Sequence, residues 1–218
     1  MRAGLFGRRR QYDRERLLTE AARAQRKGKS RKAIGLYQEV LGKEPGNAKV
    51  HQRLAPLLAR TRQPQAAWAS YRQVAEPLAE QGFVEHALGI YREAAQNLPR
   101  ESAVWLAIAE LEVKRGRRAD AVAALCAGRR QLRSRAERPK AIQLLTRAHE
   151  VDPAALEPGL ELAGLLARSG ARAGAVALLE TLARGRRGRA LRRVRLRQLN
   201  LSPGPRAVWR WLRSLLPS

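Results

Sequence analysis

The sequence predicts an all-α protein, an α-solenoid of stacked helical hairpins, and three observations predict it. Residues 28–81, 82–135 and 136–189 align as three gapless units of 54. Within each unit apolar and small residues recur at i, i+3 and i+4, the spacing of a helix that buries one stripe. Ala, Leu and Arg dominate the composition, aromatic residues make up 5% of it and β-branched runs are scarce, so helix is favoured and no sheet is expected.

Several columns of the repeat are identical in all three copies, among them Ala33/Ala87/Ala141, Pro45/Pro99/Pro153, Ala55/Ala109/Ala163, Leu57/Leu111/Leu165 and Ala67/Ala121/Ala175. An Ala-hydrophobic-x-x-large pattern recurs with its alanine at 33, 67, 87, 121, 141 and 175, so the steps alternate between 34 and 20 residues. A step of 34 holds a helix pair and its turn, whereas 20 holds one further helix. Each unit is therefore three helices, over 31–43, 48–60 and 64–80 in the first, with equivalents 54 and 108 residues later. Two prolines oppose this pattern. An interior proline costs about 3 kcal/mol, which predicts a kink or late start near Pro56 and an early end near Pro77.

These residues carry a family resemblance. The 34-residue step, Gly28 in the turn, Ala33 at the tight packing position, Tyr37 four residues on and Pro45 as terminator resemble the tetratricopeptide repeat, as do Trp105, Ile108, Ala109 and Gly116 in WLAIAELEVKRG. The resemblance covers roughly residues 14–189 and implies right-handed stacking of hairpins whose first helices line a concave groove. Three features depart from the pattern: Glu112 stands where a large residue is expected, Gly128 replaces a larger packing residue, and the 20-residue step makes the third helix of a unit serve also as the first helix of the next pair. A hairpin of this size cannot bury its stripe alone, so neighbours stack and the ends need covers. The expected organisation is a basic arm over 1–13, the repeat domain over 14–189 and a basic helical cap over 190–218.

The formal net charge is +25, concentrated at the ends: residues 1–32 carry 12 Lys/Arg against 3 acids, and residues 181–218 carry 11 Arg and no acid. Such a balance suits nucleic acid, an anionic membrane or an acidic protein. It also suits plain compositional bias, since 37 of the 44 basic residues are Arg. One cysteine, Cys126, permits no intrachain disulfide and fits a reducing compartment. The first residues lack an apolar signal core, and the expected location is cytoplasmic.

Nothing in the sequence has the pattern of an enzyme or of a cofactor site, and no small-molecule substrate is expected. His51, His86 and His149 fall in columns that keep no histidine, and none has a metal-ligand partner at motif spacing. Cys126 lies beside a packing column without a histidine to activate it. Glu157 and Glu161 share a helix face, but their columns keep no acid, and GRRGR at 185–189 and GARAG at 170–174 lack the phosphate-loop pattern.

Two surfaces are candidates for binding. Arg60, Lys114 and Arg168 close the second helix of each unit, with Arg26 at the matching place nearer the N-terminus. The resemblance puts this basic ladder near the groove, where it would hold an acidic peptide, although a cation in a last turn is also favoured by the helix dipole alone. The second surface is SPGPRAVWRWLRSLLPS. As a helix it sets Val208, Trp209, Trp211, Leu212, Leu215 and Leu216 on one face and Arg206, Arg210 and Arg213 on the other. Such a helix either covers the last unit or docks on an anionic membrane or a partner. The leading expectation is a non-catalytic adaptor that binds a protein or acidic peptide in its groove; the alternatives are salt-dependent RNA binding through the basic ends and peripheral membrane attachment.

Overall fold

The computed structural model describes residues 12–215, so all but two residues of the expected basic arm, and Leu216 of the C-terminal face, lie outside the described residues. The described chain is all-α, with twelve helices and no strand among those residues. The first four are α1 (Arg14–Arg26), α2 (Ser30–Leu41), α3 (Ala48–Arg60) and α4 (Pro64–Glu80). There follow α5 (Val84–Asn97), α6 (Ser102–Lys114), α7 (Arg118–Gln131) and α8 (Arg138–Val151). The last four are α9 (Leu156–Arg168), α10 (Arg172–Ala183), α11 (Gly188–Leu201) and α12 (Pro205–Arg213).

The repeat columns are the core. Ala33, Ala87, Ala141, Ala55, Ala109, Ala163, Ala67, Ala121 and Ala175 are each at most 1% exposed. A side chain no larger than methyl at these positions lets neighbouring helix backbones approach closely. The chain divides into two compact units, with the division between Ile90 and Tyr91 inside α5. In the first, α1 pairs with α2 and α3 with α4, burying Tyr37, Leu54, Leu58 and Tyr71. In the second, α7 packs closely against both α6 and α8, around Leu125, Leu144, Leu145 and Leu162. One helix thus serves two hairpins, as the 20-residue step requires.

The prolines behave differently from expectation. α3 starts at Ala48, well before Pro56, and α4 continues three residues past Pro77. Each proline withholds a hydrogen bond from the carbonyl four residues earlier, and those residues, Gln52 and Gln73, are exposed to water. Around Pro56 the buried Leu54, Ala55, Leu57 and Leu58 hold the helix together by packing. The third helices also shorten along the chain: α7 stops at Gln131 and α10 at Ala183, where α4 runs to Glu80. After α10, Gly185 and Gly188 take φ of +70° and +57°, a backbone that breaks the helix.

The turns after α3, α6 and α9 share one geometry. Gly116 and Gly170 adopt φ of +74° and +95°, and the same column in the first repeat is Arg62 at +60°. In all three a following N–H returns to the helix: Gln63 N to Leu58 O, Arg117 N to Glu112 O and Ala171 N to Leu166 O. A side chain in this left-handed region costs roughly 1 kcal/mol, which the first repeat carries at Arg62.

At the C-terminus, α11 rather than α12 covers the last hairpin. Val194 of α11 is fully buried in a cluster with Leu160, Leu179 and Leu182, and Leu191 and Leu201 pack against it. By contrast, α12 contains no buried residue, which corrects the expectation that its apolar face covers the repeat.

Candidate functional site

The departures from the repeat converge in space. At the column Leu58/Glu112/Leu166 the second repeat exchanges leucine for Glu112, which is 3% exposed. Two further columns change with it, Gln38/Arg92/Thr146 and Thr61/Arg115/Ser169. Arg92 Nη2 donates to Glu112 Oε1 and Arg115 Nη1 to Oε2, both at 3.1 Å. In the other repeats the third column does something else: Thr61 Oγ1 donates to Leu57 O at 2.9 Å and Ser169 Oγ to Leu166 O at 2.8 Å, finishing their helices. Leucine has become an ion triad, with both cations arriving from columns that are otherwise neutral.

A second exchange is one of volume. The columns His51/Trp105/Gly159 and Val74/Gly128/Leu182 run in opposite senses. A Cβ on Gly128 would lie 2.3 Å from Trp105 Cγ, and one on Gly159 would lie 2.8 Å from Leu182 Cδ1. Large meets small in both, with the sides reversed. The indole also ties down the turn before it: Trp105 Nε1 donates to Pro99 O at 2.9 Å, and His51 Nε2 lies 2.8 Å from the equivalent Pro45 O.

Trp105 and Glu112 line a groove of about 610 Å³ built from α5, α6 and α7. Ala95 and Ile108 form its buried floor, Trp105 and Ala124 are half-buried, and Arg92, Arg117 and Asp120 stand exposed at the edge. Apolar floor and charged rim can hold an anchoring side chain while orienting polar groups around it. Sequence reasoning marked Glu112 and Gly128 as departures but did not bring them together, because columns compare repeats and do not show which columns touch.

The predicted ladder is placed as follows. Arg26, Arg60, Lys114 and Arg168 stand exposed in the last turns of α1, α3, α6 and α9. None of them lines the 610 Å³ groove. Arg168 returns its own Nε to Gly164 O at 3.1 Å, the helix-end role that the dipole favours. On α12, Trp209 is 59% exposed beneath the Arg213 guanidinium, and Arg210 Nη1 reaches Glu180 Oε1 at 2.6 Å. Arg206 is exposed and Trp211 half-buried.

The remaining candidates are spread apart. Burial pushes the Cys126 thiol up, so it stays protonated and a weak nucleophile at neutral pH. Glu157 pairs with Arg193, whose hydrogen bonds hold its carboxyl below the usual range, while Glu161 pairs with Arg129 at 2.8 Å. His86 meets Phe83 edge to face at 6.2 Å. Among the described residues no three His, Cys, Asp or Glu cluster as a metal site, and no helix is long and apolar enough to cross a membrane.

No family model matches the chain, and no curated protein matches it significantly. Solved structures similar to it include a tetratricopeptide repeat protein from Parabacteroides merdae, 15% identical over 93% of this chain and 99% of that one, with a TM-score of 0.28. Pseudomonas aeruginosa PilF is 17% identical over 92% and 88%, with a TM-score of 0.30. The MamA protein is 14% identical over 77% and 88%, also with a TM-score of 0.30. At such values the chain's own residues carry the resemblance. It is tetratricopeptide-like in its buried alanine columns, its left-handed Gly turns and its paired helices.

Proposed function

We propose that the protein is a non-catalytic interaction scaffold that holds a peptide segment of a protein partner in the groove of α5, α6 and α7. The observation that supports this reading is the concave site itself, with Ile108 and Trp105 offering an apolar seat beside Arg92, Arg117 and Asp120. The exposed cations of the ladder would add long-range attraction for acidic ligands. In a pull-down from native lysate after nuclease treatment, a near-stoichiometric protein is expected with the wild type. Ala124→Arg, which fills the groove from α7, is expected to weaken that complex at least about tenfold, the loss of one anchoring contact. A partner held equally by Ala124→Arg and by the Arg60, Lys114 and Arg168 charge reversals defeats the reading. Loss of all bound material on nuclease treatment turns it toward nucleic acid.

The exposure of α12 favours a second, compatible reading, peripheral attachment to an anionic membrane. Val208, Trp209, Leu212 and Leu215 are all more than 40% exposed, while Arg210 tethers the helix to Glu180. An apolar stripe with an interfacial tryptophan, in a segment of 11 Arg and no acid, suits a bilayer bearing negative headgroups. The protein is expected to sediment with phosphatidylglycerol vesicles and not with phosphatidylcholine. Trp209→Ala with Leu212→Ala should weaken this at least about tenfold from lost apolar burial, without unfolding. Equal sedimentation of wild type and variant rules this attachment out.

A further inference from the structure

A second group of departures lies where α7, α8 and α9 meet. At the column Ala75/Arg129/Ala183 the flanking repeats bury an alanine, at 0% and 7% exposure, and the second repeat has an arginine whose side chain is only 17% exposed. Three more arginines follow in the connection to α8, Arg133, Arg135 and Arg138, where the connection after α4 has Ala79, Gln81 and Val84; the third repeat keeps arginine at the first two of these columns, Arg187 and Arg189. The connection after α4 is made without them, and Arg129 has alanine in both flanking repeats, so closing the turn does not by itself require these cations.

Together with Arg168 they line a cavity of about 260 Å³, floored by Leu132, Ala141 and Leu165. The early end of α7 at Gln131 opens this space, since α4 continues three residues further in the same register. Five guanidiniums around a small cavity repel one another, and the one ion pair they make among the described residues is Arg129 with Glu161. Four of them spend donors on carbonyls at helix ends: Arg129 Nη1 on Leu132 O at 3.0 Å, Arg138 Nη1 on Arg168 O at 2.7 Å, Arg168 Nε on Gly164 O at 3.1 Å and Arg133 Nε on Arg130 O at 3.4 Å. Those bonds fix the guanidinium planes but leave the charge. Arg129 Nε is buried with no hydrogen-bond partner, and a buried donor without an acceptor is costly.

We infer that this cavity binds a phosphate dianion, free or carried on a ligand. A tetrahedral oxyanion with several acceptor oxygens is the ligand class that neutralises clustered guanidiniums and takes forked N–H donors in pairs. The cavity shares no lining residue with the 610 Å³ groove and only Arg168 with the basic ladder, so variants at Arg129, Arg133 and Arg135 test it apart from the scaffold reading.

The test is titration of the full chain with inorganic phosphate at fixed ionic strength, with chloride as control, followed by calorimetry and thermal unfolding. Phosphate is expected to bind and raise the unfolding temperature where chloride does not. Arg129→Ala, which gives the second repeat the alanine of its neighbours, should fold normally and bind phosphate at least about tenfold more weakly. Arg133→Gln with Arg135→Gln, both exposed, should show the same loss without touching the core. A second arm compares a neutral peptide carrying one phosphoserine with its unphosphorylated form. Phosphopeptide binding tighter than that of inorganic phosphate identifies a ligand-borne phosphate, and equal or weaker binding identifies the free anion. Phosphate that acts no differently from chloride, or undiminished binding by both variants, overturns the inference.

Discussion

Gly128→Leu is expected to be among the most damaging single substitutions in the chain, and Trp105→Gly in the same molecule is expected to repair most of the damage. The new side chain would begin 2.3 Å from the indole Cγ, and Cβ and Cδ1 of the same residue lie within 2.8 Å. The atoms in the way are the root of a packed side chain and not its flexible end, so little can yield. Overpacking of this severity should cost at least about 3 kcal/mol. Trp105→Gly alone should cost about 2 to 4 kcal/mol through the cavity it leaves and the lost bond to Pro99 O. Together they reproduce the arrangement of the third repeat, where Leu182 fills the space over Gly159. The double variant should unfold in urea within about 1 kcal/mol of wild type, a strong favourable coupling. Additive losses in the double variant would show that the reversed columns are coincidental.

The ion triad gives the second large effect, with opposite signs for two substitutions that each remove charge. Arg115→Leu leaves the Glu112 carboxylate buried with only Arg92, itself 56% exposed and partly screened by water. The loss should be about 2 to 3 kcal/mol, that of a charged hydrogen bond together with poorer solvation of a buried anion. Glu112→Leu removes the anion and restores the residue of the flanking repeats, so it should be neutral or stabilising by about 1 kcal/mol. It should also weaken whatever binds the groove, because Arg92 then loses the carboxylate that orients it. Chemical denaturation of both variants measures this; a larger loss for Glu112→Leu than for Arg115→Leu would mean that the triad holds the fold rather than shapes the groove.

How much of this was legible in the sequence follows the kind of information each feature needs. Within the repeats the helices start within a residue of where the columns put them, α3 and α4 with the expected bounds of 48–60 and 64–80, while α7 and α10 end short of their expected equivalents. A 3.6-residue periodicity and a Gly or Pro at most stops are properties of neighbours in the chain. The same holds for the buried alanines, which the repeat displays three times over. The prolines were misjudged because their cost is local while the answer was tertiary: water reaches the carbonyls they leave unpaired, and packing on the opposite face holds the helix.

The sequence by itself determined the architecture: all helix, a 54-residue repeat, small residues at the tight contacts and charge at the two ends. Only the tertiary structure decided what the exceptions mean. Arg115 is a local partner of Glu112, three residues on, but Arg92 completes the triad only because the fold brings α5 beside α6. Arg129, Arg138 and Arg168 likewise become neighbours only where α7, α8 and α9 meet. It also decided that α11 covers the core and α12 turns its apolar face outward. The physical reason is one of range. Periodicity and turn chemistry act between residues a few positions apart, whereas volume compensation and charge pairing act between side chains that only the packing of helices brings within a few ångströms.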